Sequence, residues 1–245
     1  MTAAKLHADE IGADVALVRR LLTAQFPQWA DLPVSLVATA GTDNWIFRLS
    51  TGLCARLPRR PSAAALLAKE CLWLPRLQGL PLAIPQVAGV GQSSDLFPWP
   101  WAVVSWLPAT PASPAAVADA SAAAHKLAEF VTALHAVPAA GGPPSGPANH
   151  ERGVPLARLD TRTRDAIASL ASEVDARAAT ALWEEALAAP PHPGPLRWLH
   201  GDLQPGNLLC HNRHLAGVIA LAYYRDTEPA LAAQCRWTLS RLLGD

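Results

Sequence analysis

The chain is 245 residues long, with 20 basic and 20 acidic residues and therefore a formal net charge of zero. Hydrophobic residues make up 51% and charged ones 16%, which excludes a long charged or disordered chain and leaves no electrostatic footprint for nucleic acid or an anionic membrane surface. That length and apolar content suit one large domain or two small lobes.

In chain order, residues 1–15 interleave Lys5, His7, Asp9, Glu10 and Asp14 with short apolar stretches, which does not read as a secretory leader. No later stretch reaches the roughly 18 uncharged apolar residues of a membrane span. Cys54, Cys71, Cys210 and Cys235 lack paired spacing, so no disulfide framework is expected. A soluble cytoplasmic protein is the expectation.

Residues 12–28 carry a helical stripe of Val15, Val18, Leu21, Leu22 and Phe26. After Pro33 the pattern shortens to runs at 35–38, 45–49 and 53–57, separated by Gly41-Thr42-Asp43-Asn44 and Ser50-Thr51-Gly52. Such turn chemistry predicts three antiparallel strands joined by hairpins. Ser62 is placed to cap a helix through about Leu77. Strands follow near 84–90 and 101–107, and Pro108 to Pro114 marks a lobe boundary. Helices are expected over 115–136, with Leu127, Phe130, Val131 and Leu134 on one face, and over 161–188, with Ile167, Leu170, Val174, Leu182 and Leu187 in register. Two short strands, 207–210 and 215–221, close the pattern around a polar tip. A β-rich first part and an α-rich second part predict an α+β fold in two lobes.

The sharpest chemical signal is His200-Gly201-Asp202-Leu203-Gln204-Pro205-Gly206-Asn207, just before a short strand. Phosphoryl transfer requires a carboxylate to orient the attacking hydroxyl and an oxygen ligand for the magnesium that bridges the phosphates. Asp202 suits the first role and Asn207 the second; the plain alternative is a turn Asp and a strand-start Asn. His200 is assigned to supporting the loop. Cys210-His211-Asn212-Arg213-His214 raises the question of zinc, but the ligand spacing is absent and a hairpin tip projects its residues outward.

The segment 200–209 resembles the catalytic loop of the aminoglycoside phosphotransferase family, relatives of the choline kinases and, more distantly, of the protein kinases. The resemblance extends over nearly the whole chain. Gly41, Thr42, Asp43 and Asn44 resemble that family's phosphate-covering hairpin, although such a sequence is also an ordinary turn. Arg56 lies where the family has a strand Lys or Arg touching the α- and β-phosphates, and Glu70 where a helix carboxylate pairs with that cation. Of the three lysines (Lys5, Lys69, Lys126), none lies on a strand after the turn, and a guanidinium binds phosphate bidentately. Ser105, Trp106 and Leu107 resemble the hinge that holds the base, with core packing the other reading of Trp106.

The resemblance implies a two-lobed, protein-kinase-like fold: a small antiparallel-sheet lobe over residues 1–105 and a larger helical lobe over 106–245. It also implies ATP or GTP with magnesium as cofactors, and a hydroxyl on a small polar molecule, aminoglycoside-like or another natural product, as acceptor. The chain departs from the pattern first at the metal-binding position. The family strand ends in an Asp that ligates the metal, and here Ala220 stands at that place, thirteen residues after Asn207. Ala232 replaces a second acidic position, and the chain ends sixteen residues past Pro229, where relatives continue into further helices. Asp226 and Glu228 are the neighbouring acids that could substitute. The sequence therefore supports three expectations: an ATP-dependent phosphotransferase, a pseudokinase-like protein that binds nucleotide or ligand without efficient turnover, or a shortened remnant that folds poorly or leans on a partner.

Overall fold

Asp14 starts the first helix. Its carboxylate accepts the Leu17 N–H at 2.7 Å, meeting one of the donors that a helix start leaves unpaired. Helix α1 (Val15–Gln25) buries Leu17, Val18, Leu21 and Leu22. A computed structural model of the chain describes residues 9–38, 43–146, 151, 153–190, 195–219 and 224–226, the last three by backbone alone.

The stripe of α1 lies on a five-stranded antiparallel sheet. Its strands are β1 (Val34–Leu36), β2 (Asn44–Leu49), β3 (Leu53–Pro58), β4 (Val87–Gly91) and β5 (Trp101–Ser105), in the order β1-β2-β3-β5-β4. Alternation along the strands divides the side chains between two faces. Trp45, Phe47, Leu49, Ala55, Leu57, Trp101 and Val103 form one core with α1. Cys54, Ala102 and Val104 form another with Leu67 of helix α2 (Pro61–Trp73).

Helix α2 begins two residues earlier than a Ser62 cap would place it. Arg60 is the N-cap and Pro61 the first helical residue, a position where proline's fixed φ is suitable and its missing N–H costs nothing. The helix ends at Trp73, and a 3₁₀ turn over Leu74–Arg76 completes the segment.

Trp73, Leu74, Leu77, Leu82 and Ile84 then join a second core with residues from the other half of the chain. Its centre is α3 (Ala120–Ala136), capped by Asp119 and burying Ala123, Leu127, Phe130 and Leu134. Around it lie short strands: β6 (Thr110–Pro111), β7 (Arg197–Leu199), β8 (Leu208–His211), β9 (His214–Val218) and β10 (Tyr224–Asp226). They form an antiparallel sheet β6-β8-β9 and the antiparallel pair β7-β10. The whole is an α+β fold of the kinase-like kind, an antiparallel sheet lobe followed by helices.

The helix expected over 161–188 is in fact two, α4 (Asp160–Ser169) and α5 (Ala176–Ala188). Asp175 caps α5 through the Ala178 N–H at 3.0 Å, so the chain restarts instead of running through. Neither helix buries a residue, and Leu170, Val174 and Leu182 are 43%, 45% and 67% exposed. Polar contacts join the pair: Arg164 reaches Asp160 and Glu184, and the Trp183 indole N–H donates to Asp160 at 2.7 Å. No helix among the described residues is long and apolar enough to cross a membrane.

Candidate functional site

Strand β7 delivers the chain to His200, which is 1% exposed, and Gly201 turns it with φ +73°, a conformation that suits glycine. His200 Nδ1 accepts the Asp202 N–H at 3.1 Å, so the proton sits on Nε2, which donates to the Ile219 carbonyl at 3.1 Å. Ile219 N–H donates to the Asn207 carbonyl at 2.9 Å. Asn207 Nδ2 donates in turn to the Asp202 carbonyl at 2.9 Å and to its Oδ2 at 3.0 Å. Four residues thus close a ring of hydrogen bonds that holds the Asp202 carboxylate half-buried, with Gln204 Nε2 also approaching its Oδ2 at 3.5 Å. Because Nδ2 is held by Asp202, the buried Asn207 turns its amide oxygen the other way.

On the sheet, Arg56 projects from β3 on the face shared with Cys54, opposite Ile46 and Ala102. Its Nη1 donates to Glu70 Oε1 at 2.7 Å, with the two side chains 14% and 8% exposed. Burial by itself would favour the uncharged arginine. The Glu70 carboxylate outweighs it, so the guanidinium is held more firmly protonated than usual. Among the described residues this is the one hydrogen bond of the Arg56 side chain. Cys54 and Cys71 flank the pair, and burial pushes both thiols up to about 11.

The Arg56–Glu70 pair and the Asp202 loop are linked through packed tryptophans. Trp73 lies one helical turn from Glu70 on α2 and packs against Trp198, ring centroids 5.1 Å apart, two residues before His200. A second link runs through Ala83, which exchanges backbone hydrogen bonds with Ala216 and Val218 (3.0 and 2.8 Å). Gly217 makes that approach possible: a Cβ there would meet the Ala83 carbonyl and Leu107 Cδ1, each at 3.1 Å.

Of the turn expected to cover phosphates, Gly41 and Thr42 lie outside the described residues. Asp43 accepts the Arg59 N–H at its carbonyl (2.9 Å) and Arg60 Nη2 at its carboxylate (3.1 Å). Asn44 opens β2 opposite Pro58, and its Oδ1 is buried with no partner among the described residues. In the segment expected to form the hinge, Ser105 N–H donates to the Gln86 carbonyl and Trp106 N–H to the Gly52 carbonyl, both at 2.8 Å. The Trp106 ring carries the Arg48 guanidinium at 4.2 Å and packs against the Cys54 cluster. A cavity of about 460 Å³ lies between Arg48, Trp106, Thr110 and His211, and it touches neither Arg56 nor Asp202.

Ala220 lies outside the described residues. At the β8–β9 tip, Asn212 and Arg213 take φ +48° and +64° while His211 and His214 are exposed and Cys210 is buried. Among the described residues no group of three His, Cys, Asp or Glu side chains is arranged to hold a metal. Sequence reading missed the partners of Asp43 and the Trp73–Trp198 contact; the Arg59-Arg60 doublet directly after a strand was the available signal for the first.

The sheet lobe and the helices behind it make up a protein-kinase-like fold. The sequence profile of the phosphotransferase enzyme family called APH matches residues 34–226, and the chain belongs to that family. No curated protein sequence matches it. Among solved structures it resembles the GDP complex of wild-type aminoglycoside 2'-phosphotransferase-IIIa, at 22% identity over 95% of this chain and 84% of that one, TM-score 0.69. It also resembles the streptomycin–ATP–APH(2")-IIa ternary complex, at 14% identity over 96% and 82%, TM-score 0.60. Macrolide 2'-phosphotransferase MphH from Brachybacterium faecium is similar at 22% identity over 92% and 77%, TM-score 0.60.

Proposed function

We propose that this chain binds ATP or GTP in a cleft between a first lobe ending near residue 105 and the second lobe, and transfers the γ-phosphoryl group to a hydroxyl of a small polar molecule. The observation that carries this reading is the closed hydrogen-bond ring around Asp202 and Asn207. The ring fixes the Asp202 carboxylate through the Asn207 amide at 3.0 Å, with Gln204 Nε2 approaching the same oxygen at 3.5 Å, and so presents a carboxylate and an amide side by side on one short loop.

In this reading Asp202 accepts the hydrogen bond of the attacking hydroxyl and orients it along the line of displacement. Arg56, with Nη1 held by Glu70, offers its remaining N–H groups to phosphate oxygens. Hinge donors are few: the Ser105 and Trp106 amides are engaged, so the base is met by the Leu107 amide. Asn207 Oδ1 would offer magnesium a hard oxygen ligand beside the Asp202 carboxylate. When bound, such a metal neutralises phosphate charge. The GDP, ATP and aminoglycosides held by similar structures support nucleotide and an aminoglycoside-like acceptor as the classes to test.

Ala220 favours a second reading, a nucleotide-binding protein with little turnover, because a methyl group supplies no ligand. One preorganised electrostatic partner is worth about 100- to 1,000-fold in rate. Calorimetric titration with ATP and GTP, with and without magnesium, on wild type and Ala220→Asp, separates the two. Wild type that binds nucleotide more tightly with magnesium, and that phosphorylates a member of an aminoglycoside and macrolide panel, supports the transferase. Magnesium dependence and turnover in Ala220→Asp alone support the binding protein. Absence of nucleotide binding in both proteins overturns the cleft itself.

A further inference from the structure

The candidate phosphate-covering turn contains a carboxylate, Asp43, and a carboxylate facing a triphosphate is repelled by it: about 1 kcal/mol per charge pair at 4 Å in water, and more at lower dielectric. The structure shows what Asp43 does instead. Its Oδ1 accepts Arg60 Nη2 at 3.1 Å, with the two side chains 33% and 21% exposed, and its carbonyl accepts the Arg59 N–H at 2.9 Å. Arg60 is the N-cap of α2, the helix that carries Glu70.

The junction that supplies both contacts is itself anchored. The Arg59 guanidinium is buried over the Trp45 ring at 3.8 Å and approaches Glu10 Oε2 at 3.5 Å, with the Glu10 side chain fully buried. Trp45 Nε1 donates to the Ile11 carbonyl, and Ile11 N–H donates to the Arg59 carbonyl, each at 2.8 Å. The segment around residues 10–11, the end of β3 and the start of α2 therefore form one rigid corner, and Asp43 is bound to it by side chain and by backbone.

We propose that Asp43 and Arg60 are a positioning pair: an ion-pair latch that cancels the charge of Asp43 and ties the entry to β2 at Asp43 to the helix that orients Arg56. The inference rests on the nucleotide-binding reading of the cleft. It differs from a direct phosphate contact by Arg60 in the sign of one result. With a latch, Asp43→Asn frees the entry to β2 from the corner and weakens nucleotide binding; with direct contact, it removes a repulsive charge, releases Arg60 and tightens binding.

The test is calorimetric titration with ATP of wild type, Asp43→Asn, Arg60→Gln, and the reversed pair Asp43→Arg with Arg60→Asp, each with its unfolding midpoint. The latch predicts about tenfold weaker binding in each single variant, and recovery to within about threefold in the reversed pair. It also predicts that Arg164→Gln, in the exposed α4–α5 cluster, leaves affinity unchanged. Tighter binding by Asp43→Asn, or no recovery in the reversed pair, overturns it. Amide hydrogen exchange of nucleotide-free protein reads the latch separately: the Arg59 N–H exchanges faster in Arg60→Gln. An unchanged Arg59 amide overturns the latch, while wild type that binds no nucleotide overturns the cleft reading and leaves the exchange result to decide.

Discussion

The two polar constellations of the candidate site are built in opposite ways. Arg56 and Glu70 come from different elements, fourteen residues apart, and meet in a nearly dry space between a sheet and a helix. Asp202 and Asn207 are five residues apart on one loop, and the contacts that hold them involve backbone groups as much as side chains. Damage to the first should therefore appear in folding as well as ligand binding, because a buried charge loses its partner. Damage to the second should appear in chemistry alone.

The largest expected effect tests the second half of that contrast. Asp202→Asn keeps an oxygen to accept the Asn207 amide and removes the charge that orients the acceptor. Transfer should fall by at least about 1,000-fold, with the unfolding free energy unchanged to within about 0.5 kcal/mol. Phosphoryl transfer that survives the change would separate the loop from the reaction. A loss of stability near that of the next variant would show that the loop is structural after all.

Glu70→Ala tests the first half. It leaves the Arg56 guanidinium in a nearly buried site without its carboxylate, and breaking such a pair costs about 3 kcal/mol. Urea unfolding should show that loss together with weakened ATP binding, while Glu70→Gln, which retains an acceptor, loses less of both. Weakened ATP binding with intact stability would make the ion pair a ligand-facing feature with little part in packing.

The same contrast explains what could be read from the sequence. The Asp202 loop lies within eight residues, and the hairpins around β2 and β3 carry their own turn residues, so local chemistry reveals both. The closing bond of the ring, from His200 to Ile219, joins residues nineteen apart and needs β8 and β9 folded between them. The hold of Arg60 on Asp43 also depends on the fold, since only the pairing of Asn44 with Pro58 brings those two segments side by side. Strands of two or three residues such as β6, β7 and β10 are too short to show a period. In α4 and α5 the helical period was legible, but a period says which residues share a face and says nothing of what covers it. Leu182 shows the limit: it is in register and mostly exposed.

The smallest effect comes from Cys54, beside the Arg56–Glu70 pair. Burial raises its thiol from 9.0 to about 11, against a smaller opposing pull from Arg56. In the unfolded chain the thiol loses its proton from about pH 9, whereas the folded protein retains it until about pH 11. Between those values the unfolded state binds fewer protons, so stability falls as pH rises, and below pH 9 the group adds no slope. Two units correspond to about 2–3 kcal/mol for this one thiol. Cys71 adds a slope of the same sign. Urea unfolding under reducing conditions at pH 8 and pH 10.5 should therefore show wild type losing about 2 kcal/mol more than Cys54→Ala over that interval. Cys54→Ala starts lower at pH 8 because it leaves a small cavity, so the diagnostic quantity is the difference in slope. Parallel slopes would mean that water reaches the space beside Arg56, and the dry pocket that distinguishes this pair from the Asp202 loop would be lost with it.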